Sequence, residues 1–140
     1  MENFEPEIVI LYCQNCVVEG MELADSTRRF SGIMVRLVVM PCSSKVEIGH
    51  LVKILEQGAD GIQVIRCPDR ECRFLGGNIK AENRVEHVRR LLDEIDFGIE
   101  RVGIAKGNGF KTEDLLNLAS KRADAIQSLG PNPMKKEKES

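Results

Sequence analysis

Aromatic residues are scarce in this sequence of 140 residues, which has no tryptophan, one tyrosine and five phenylalanines. Proteins that bind single-stranded nucleic acid stack the bases on aromatic side chains, and no such platform is evident here for bases or for a flavin ring. Positive charge is not in excess either, because the formal net charge is −2 and both signs are mixed along the chain. We therefore expect no nucleic-acid partner.

Long hydrophobic runs are missing as well. No apolar stretch approaches the roughly 18 residues of a membrane span. The N-terminal sequence MENFEPE is acidic, whereas a secretory signal is basic and then apolar. We therefore expect a cytoplasmic protein with no membrane span. The length and the hydrophobic content of 42% suit one globular domain.

Histidine occurs only twice. His50 lies across a predicted helix from its apolar stripe and His87 flanks the next stripe, so both are expected on the solvated surface. A Rieske iron–sulfur centre requires two histidine ligands and is excluded on this ground. Ser43 and Ser44 also lack a well-placed base that would turn either of them into a nucleophile.

Four short segments rich in β-branched residues predict strands. They are apolar throughout rather than alternating, which is typical of strands covered on both faces. The segments are Ile8 to Tyr12, Val35 to Met40, Gly61 to Arg66 and Arg101 to Ala105. Since helical periods lie between them, the predicted fold class is α/β, a small doubly wound four-stranded parallel sheet with helices on both faces and strand order 2-1-3-4.

The helical periods differ in clarity. The clearest stripe consists of Ala81, Val85, Val88, Leu92 and Ile95. The others are Val17 to Ala24, Ile48 to Leu55 before a capping Gly58, and Leu115 to Leu129 after an N-capping Thr112. The α/β domain is predicted over residues 1–129. Residues 130–140, GPNPMKKEKES, contain two prolines and almost no apolar residue, which predicts a flexible tail.

Five cysteines are the chemically distinctive residues: Cys13, Cys16, Cys42, Cys67 and Cys72. Thiols of a cytoplasmic chain are kept reduced, which favours metal binding or redox chemistry over structural disulfides. Three of the five follow predicted strands closely, and the ends of parallel strands meet at one edge, where open α/β proteins bind ligands. Helix N-termini at that edge lower the pKa of a nearby thiol. We therefore predict that the five thiols converge there as candidate ligands.

The spacing alone leaves several kinds of site open. Cys13 and Cys16 form a Cys-x-x-Cys pair, which is typical of a thioredoxin-like dithiol oxidoreductase. Four thiolates also suit a structural zinc ion in an interaction module, or an iron–sulfur cluster. The usual zinc knuckles and the common ferredoxin spacings are absent. Ligation of a metal ion or cluster is favoured over dithiol chemistry, because a dithiol enzyme needs no further thiols at the same edge of the sheet.

Several motifs resemble those of a known family, the delta subunit of methyl-viologen-reducing hydrogenase. The resemblance covers roughly residues 6–105 and rests on YCQNC, MPCSSKVE, EQGADGIQVIRC and CPDRECRFLGGNIKAENRVEHVRRLL. Two departures are Asn15, where members commonly have an aromatic residue, and residues 43–47, SSKVE, in place of Ser-Gly-Arg-Val-Asp. Charge is retained in both ionic positions, so the site is expected to survive these changes.

The resemblance implies a non-catalytic electron-transfer subunit of an oxidoreductase complex that carries one [2Fe–2S] cluster. It implies that the five cysteines match the family's five and that four of them ligate the cluster. It also implies two kinds of partner. The donor is a hydrogenase, a formate dehydrogenase or another redox module, and the acceptor is a heterodisulfide-reductase-like subunit with flavin and iron–sulfur centres.

Overall fold

A five-stranded sheet forms the centre of the computed structural model, which describes residues 5–13, 27–30, 32–40, 48–66, 77–95, 97–106 and 111–132. The strand order is β2-β3-β1-β4-β5. The strands are β1 Glu7–Cys13, β2 Thr27–Phe30, β3 Ile33–Met40, β4 Gly61–Arg66 and β5 Val102–Lys106.

Four of these strands are parallel and confirm the predicted order. The predicted sequence 2-1-3-4 corresponds to β3-β1-β4-β5, with β1 paired to β3 on one side and to β4 on the other. Leu11 of β1, for example, is in register with Val38 and Val64. Strand β4 is buried along its whole length, as expected for an inner strand without polar alternation. The α/β class is confirmed.

The fifth strand corrects the predicted strand count. β2 runs antiparallel to β3 and forms the edge of the sheet, with Thr27 opposite Arg36 and Phe30 opposite Ile33. Its sequence is TRRF, which is too polar to show an apolar run. Thr27 and Arg29 are exposed, so this edge strand is not buried on both faces and needs no apolar run. Gly32, with φ of +82°, lies in the turn between β2 and β3. The helix predicted over Val17 to Ala24 lies outside the described residues.

Helices cover both faces of the sheet, as predicted. Helices α1, Ile48–Glu56, and α2, Gly77–Glu94, pack on one face, and α3, Thr112–Ile126, packs on the other. Strand β1 supplies both cores, because alternate residues of a strand point to opposite faces. Val9 and Leu11 lie in the core under α1 and α2, whereas the core under α3 contains Ile8, Ile10 and Tyr12.

The ends of α1 and α3 differ in how well they match the predicted caps. Gly58 has φ of +109°, its N–H donates to the carbonyl of Leu55, and the next N–H, of Ala59, donates to Ile54. This is a Schellman cap, so the predicted cap is confirmed. The predicted Thr112 cap is wrong by one residue, because Thr112 begins α3 and Lys111 is its N-cap. The Lys111 N–H donates to the Asp114 carboxylate at 2.9 Å.

The predicted apolar stripe of α2 is correct except at its end. Val85, Val88 and Leu92 are buried against the sheet. Ile95 is 65% exposed, because the helix ends at Glu94 and the chain then turns towards β5. Among the described residues, no helix has the length and apolar character required to cross a bilayer.

A buried polar cluster closes the N-terminal edge of the sheet, at the start of β1. The Asp60 carboxylate accepts the backbone N–H of Glu7 and that of Asn132, each at 2.8 Å. The Asn132 side-chain amide donates to the carbonyls of Leu55 and Ala59 at 2.7 and 2.6 Å. Asp60 and Asn132 are fully buried. We call this set, together with Arg101, the Asp60 cluster.

Arg101 joins the Asp60 cluster to the C-terminal segment. Its guanidinium donates to the carbonyls of Asp60 and Gly130, each at 2.9 Å. Burial lowers the pKa of Arg101, and the charges of Asp60 and Glu100 oppose that shift. Gly130 to Asn132 are therefore held by the folded unit. Residues 133–140 lie outside the described residues, and their predicted flexibility stays a prediction.

Candidate metal centre

Three neighbouring strands end side by side at the edge of the sheet opposite the Asp60 cluster. Cys13, the last residue of β1, is in register with Met40, the last residue of β3. On the other side of β1, Tyr12 is in register with Ile65, one residue before β4 ends at Arg66. Parallel neighbours lie about 4.8 Å apart, so these ends form one compact edge.

The cysteines are placed in the sequence relative to those strand ends. Cys13 ends β1, Cys42 comes two residues after the end of β3, and Cys67 directly follows β4. The positions at which the chain leaves three adjacent strands are therefore neighbours in space. Cys16, Cys42, Cys67 and Cys72, together with the side chain of Cys13, lie outside the described residues. Their predicted convergence stays a prediction.

The described residues offer no competing metal site. Among the described side chains, no group of three or more His, Cys, Asp or Glu residues comes together in a way that could hold a metal ion. His50 and His87 are both exposed, on α1 and α2, which confirms their predicted surface positions. Soft thiolate sets, which the cysteines of this chain could supply, are the ones that hold iron–sulfur clusters or zinc.

Arg66 is a buried cation at this edge, one residue before Cys67. Only 4% of the residue is exposed, and its guanidinium pairs with the Glu82 carboxylate of α2 at 2.7 Å. The sequence places an arginine at the end of β4 but contains no pattern that pairs it with Glu82, because the two residues are on different elements. Arg66 is thus held in place by Glu82 and is turned away from solvent, which leaves little of it to contact a partner.

A scan against family models matches residues 8–130 to the methyl-viologen-reducing hydrogenase delta subunit. The chain belongs to this delta subunit family. The matched range includes all five cysteines and, apart from Glu7 at the start of β1, the five strands. The predicted resemblance is therefore confirmed, and it extends further along the chain than the motifs alone indicated.

Relatives of similar length carry related names. The iron–sulfur subunit of the vhu F420-non-reducing hydrogenase from Methanocaldococcus jannaschii is 29% identical over 131 residues, which cover 94% of this chain and 98% of that protein. The iron–sulfur subunit of the F420-non-reducing hydrogenase from Archaeoglobus profundus is 32% identical over 130 residues, 93% of this chain and 95% of that protein. The delta subunit family thus includes proteins named as hydrogenase iron–sulfur subunits.

A much longer protein contains a similar segment. It is a subunit of the ferredoxin:CoB-CoM heterodisulfide reductase from Methanosarcina mazei, 23% identical over 126 residues, which are 90% of this chain and 16% of that protein. A unit related to the delta subunit family therefore occurs within a heterodisulfide reductase polypeptide. The family is linked by similarity both to hydrogenases and to heterodisulfide reductases.

Proposed function

We propose that this protein carries one [2Fe–2S] cluster and relays single electrons in the cytoplasm. The proposed donor is a hydrogenase, a formate dehydrogenase or another redox module, and the proposed acceptor is a heterodisulfide-reductase-like flavin and iron–sulfur subunit. The observation that carries the proposal is the similarity, along almost the whole chain, to proteins named hydrogenase iron–sulfur subunits. We propose that Cys13, Cys16, Cys42, Cys67 and Cys72 form the ligand set and that four of them ligate.

The donor chemistry of the chain fits such a cluster. Iron–sulfur clusters are held by four thiolates, and the chain has five cysteines, each of them at the end of β1, β3 or β4 or within six residues after it in the sequence. When bound, the cluster accepts and releases one electron at a time. The role of the polypeptide is to hold the thiolates, to fix nearby charge through Arg66, and to present this edge to its partners.

The heterodisulfide reductase relative supports the choice of acceptor. In the Methanosarcina mazei protein, the similar segment is part of one polypeptide with the rest of that reductase subunit. Two units that are joined in one protein are candidates for contact when they occur as separate chains. We therefore propose that the edge carrying Cys13 docks against a heterodisulfide reductase subunit of this kind.

The test is spectroscopy on anaerobically purified protein. We expect a coloured sample that contains iron and acid-labile sulfide in equal amounts, and a low-temperature EPR signal that appears on one-electron reduction. A colourless sample with one bound zinc would contradict the proposal and favour an interaction module. A metal-free sample in which a Cys13–Cys16 disulfide titrates would favour a dithiol oxidoreductase instead.

The buried cation at the site gives a further prediction. Replacing Arg66 with methionine is expected to lower the reduction potential by on the order of 50 mV, because loss of a nearby positive charge disfavours addition of an electron. The fold is expected to persist, since the abandoned Glu82 carboxylate is about half exposed. The potential is measured by a redox titration followed by EPR.

The matched control is Arg90→Met, which makes the same change on α2. Arg90 is exposed and lies eight residues beyond Glu82, about 12 Å further along the helix. Its replacement is expected to leave the potential unchanged. Equal potentials for the wild type and Arg66→Met, with intact spectra, would show that the pair of Arg66 and Glu82 serves packing alone.

A further inference from the structure

An apolar groove lies between α1 and α2, near the ends of both helices. It has a volume of about 210 Å³, and among the described residues Glu94 is its only charged lining residue. We call it the α1–α2 groove. Its apolar lining consists of Val52, Leu55, Leu91, Leu92, Ile95 and Phe97.

The groove contains two of the most exposed apolar side chains of the described residues. Ile95 is 65% exposed and Leu91 is 38% exposed. Single exposed apolar residues are ordinary on a protein surface, but a group of them around a concave site marks a place where another apolar group binds. The exposed side chains of Ile95 and Leu91 are therefore expected to be covered.

The C-terminal segment reaches the rim of the groove. The side-chain amide of Asn132 donates to the carbonyl of Leu55, which is one of the lining residues of the groove. Two residues earlier, the carbonyl of Gly130 accepts from Arg101, whose guanidinium lies 5.3 Å from the centre of the Phe97 ring. Phe97 also lines the groove. The residues that follow Asn132 therefore start next to it, and each can extend the chain by about 3.5 Å.

The sequence that follows Asn132 matches the groove in both polarity and charge. It reads PMKK, two apolar residues followed by two lysines. Methionine is unbranched and adapts to irregular apolar gaps, and Glu94 of the groove lining is opposite in charge to the lysines. Because the segment is joined directly to Asn132, its effective concentration at the groove is about millimolar.

We propose that Pro133 and Met134 pack into the α1–α2 groove, with Lys135 and Lys136 beside Glu94. For residues 133–136 this replaces the flexible tail expected from the sequence: the segment extends the fold beyond Asn132 and covers Leu91 and Ile95. This contact lies at the end of the sheet opposite the one where β1 ends at Cys13, and it does not require a bound cluster.

Limited trypsin digestion of the full chain tests the proposal, because trypsin cleaves after Lys135 and Lys136. Trypsin cleaves the segment only while it is detached from the α1–α2 groove, so the cleavage rate is proportional to the fraction of time for which it is detached. Ile95→Ser and Met134→Ser each remove one side of the apolar contact, and each is expected to speed this cleavage about tenfold. Peptide-resolved mass spectrometry follows the two bonds, and rates are divided by those of free peptides with the same sequence.

Conservative variants are the matched controls. Ile95→Leu and Met134→Leu retain apolar bulk and are expected to keep the slow cleavage of the wild type. The double variant of Ile95→Ser and Met134→Ser is expected to be no faster than either single one, because both remove the same contact. Cleavage that is equally fast in the wild type and in Ile95→Ser overturns the proposal. So does a wild-type protein that self-associates through the groove and loses this association in Ile95→Ser, because the occupant is then a second copy.

Discussion

The five cysteines are replaced with serine one at a time. In four of these single variants, we expect the visible absorption and the EPR signal of the purified protein to be lost. A serine oxygen is a harder ligand than a thiolate and does not replace it in a site built for iron and sulfide. The fifth replacement is expected to leave both signals intact, because a cluster takes four protein ligands. The measurements are the absorption spectrum, the iron content and the EPR spectrum of each single variant, prepared without oxygen.

The pattern of losses across Cys13, Cys16, Cys42, Cys67 and Cys72 separates the proposed function from its alternatives. Loss at four sites identifies the ligand set, and the tolerant variant serves as the internal control. Loss of activity with a dithiol substrate, confined to Cys13 and Cys16, would show a dithiol oxidoreductase. If the wild type is colourless and binds zinc, and the variants lose that zinc, the protein is a zinc-stabilised module.

Removal of the Asp60 carboxylate is expected to lower the free energy of unfolding by about 3 kcal/mol, because it leaves the backbone N–H groups of Glu7 and Asn132 buried without an acceptor. Both bonds are 2.8 Å long, and Asp60 is fully buried. The variant Asp60→Ala also takes away an opposing charge near the buried guanidinium of Arg101. Urea unfolding followed by circular dichroism measures the effect on a sample in the same metal-bound state as the wild type.

Asp93→Ala is the matched control for this prediction. Asp93 is an exposed carboxylate on α2, so its loss is expected to change the free energy of unfolding by no more than about 0.5 kcal/mol. If Asp60→Ala were as stable as Asp93→Ala, the Asp60 cluster would not be what holds the N-terminal edge of the sheet together. Both variants remove one carboxylate, so the difference between them reports the burial of Asp60, its hydrogen bonds and its charge near Arg101.

The parallel strands were predictable because their signal is local. Each is a short run of apolar residues, and a strand that is buried on both faces must be apolar along its length. The same reasoning failed for β2, since an edge strand with the sequence TRRF carries no such requirement. It also failed at Ile95, which has the spacing of the α2 stripe but follows the last residue of the helix.

The candidate site was predictable in part for a related reason. Cysteine positions in the sequence, combined with a parallel sheet, place three cysteines at or after the ends of adjacent strands. Burial of Arg66 and its pairing with Glu82 were not predictable, since each residue alone reads as an ordinary surface charge. Their pairing depends on how the start of α2 packs against the end of β4.

By itself, the sequence determined the α/β class, the order of the parallel strands and the family, and it supplied the five cysteines that are proposed as ligands, because each follows from a local pattern or motif. Only the tertiary structure decided the antiparallel edge strand, the burial of Arg66, the α1–α2 groove and the Asp60 cluster. These depend on contacts between distant parts of the chain: Asp60 and Asn132 are 72 residues apart. No local pattern records such a contact, since it forms only when the sheet and its helices bring the two residues together.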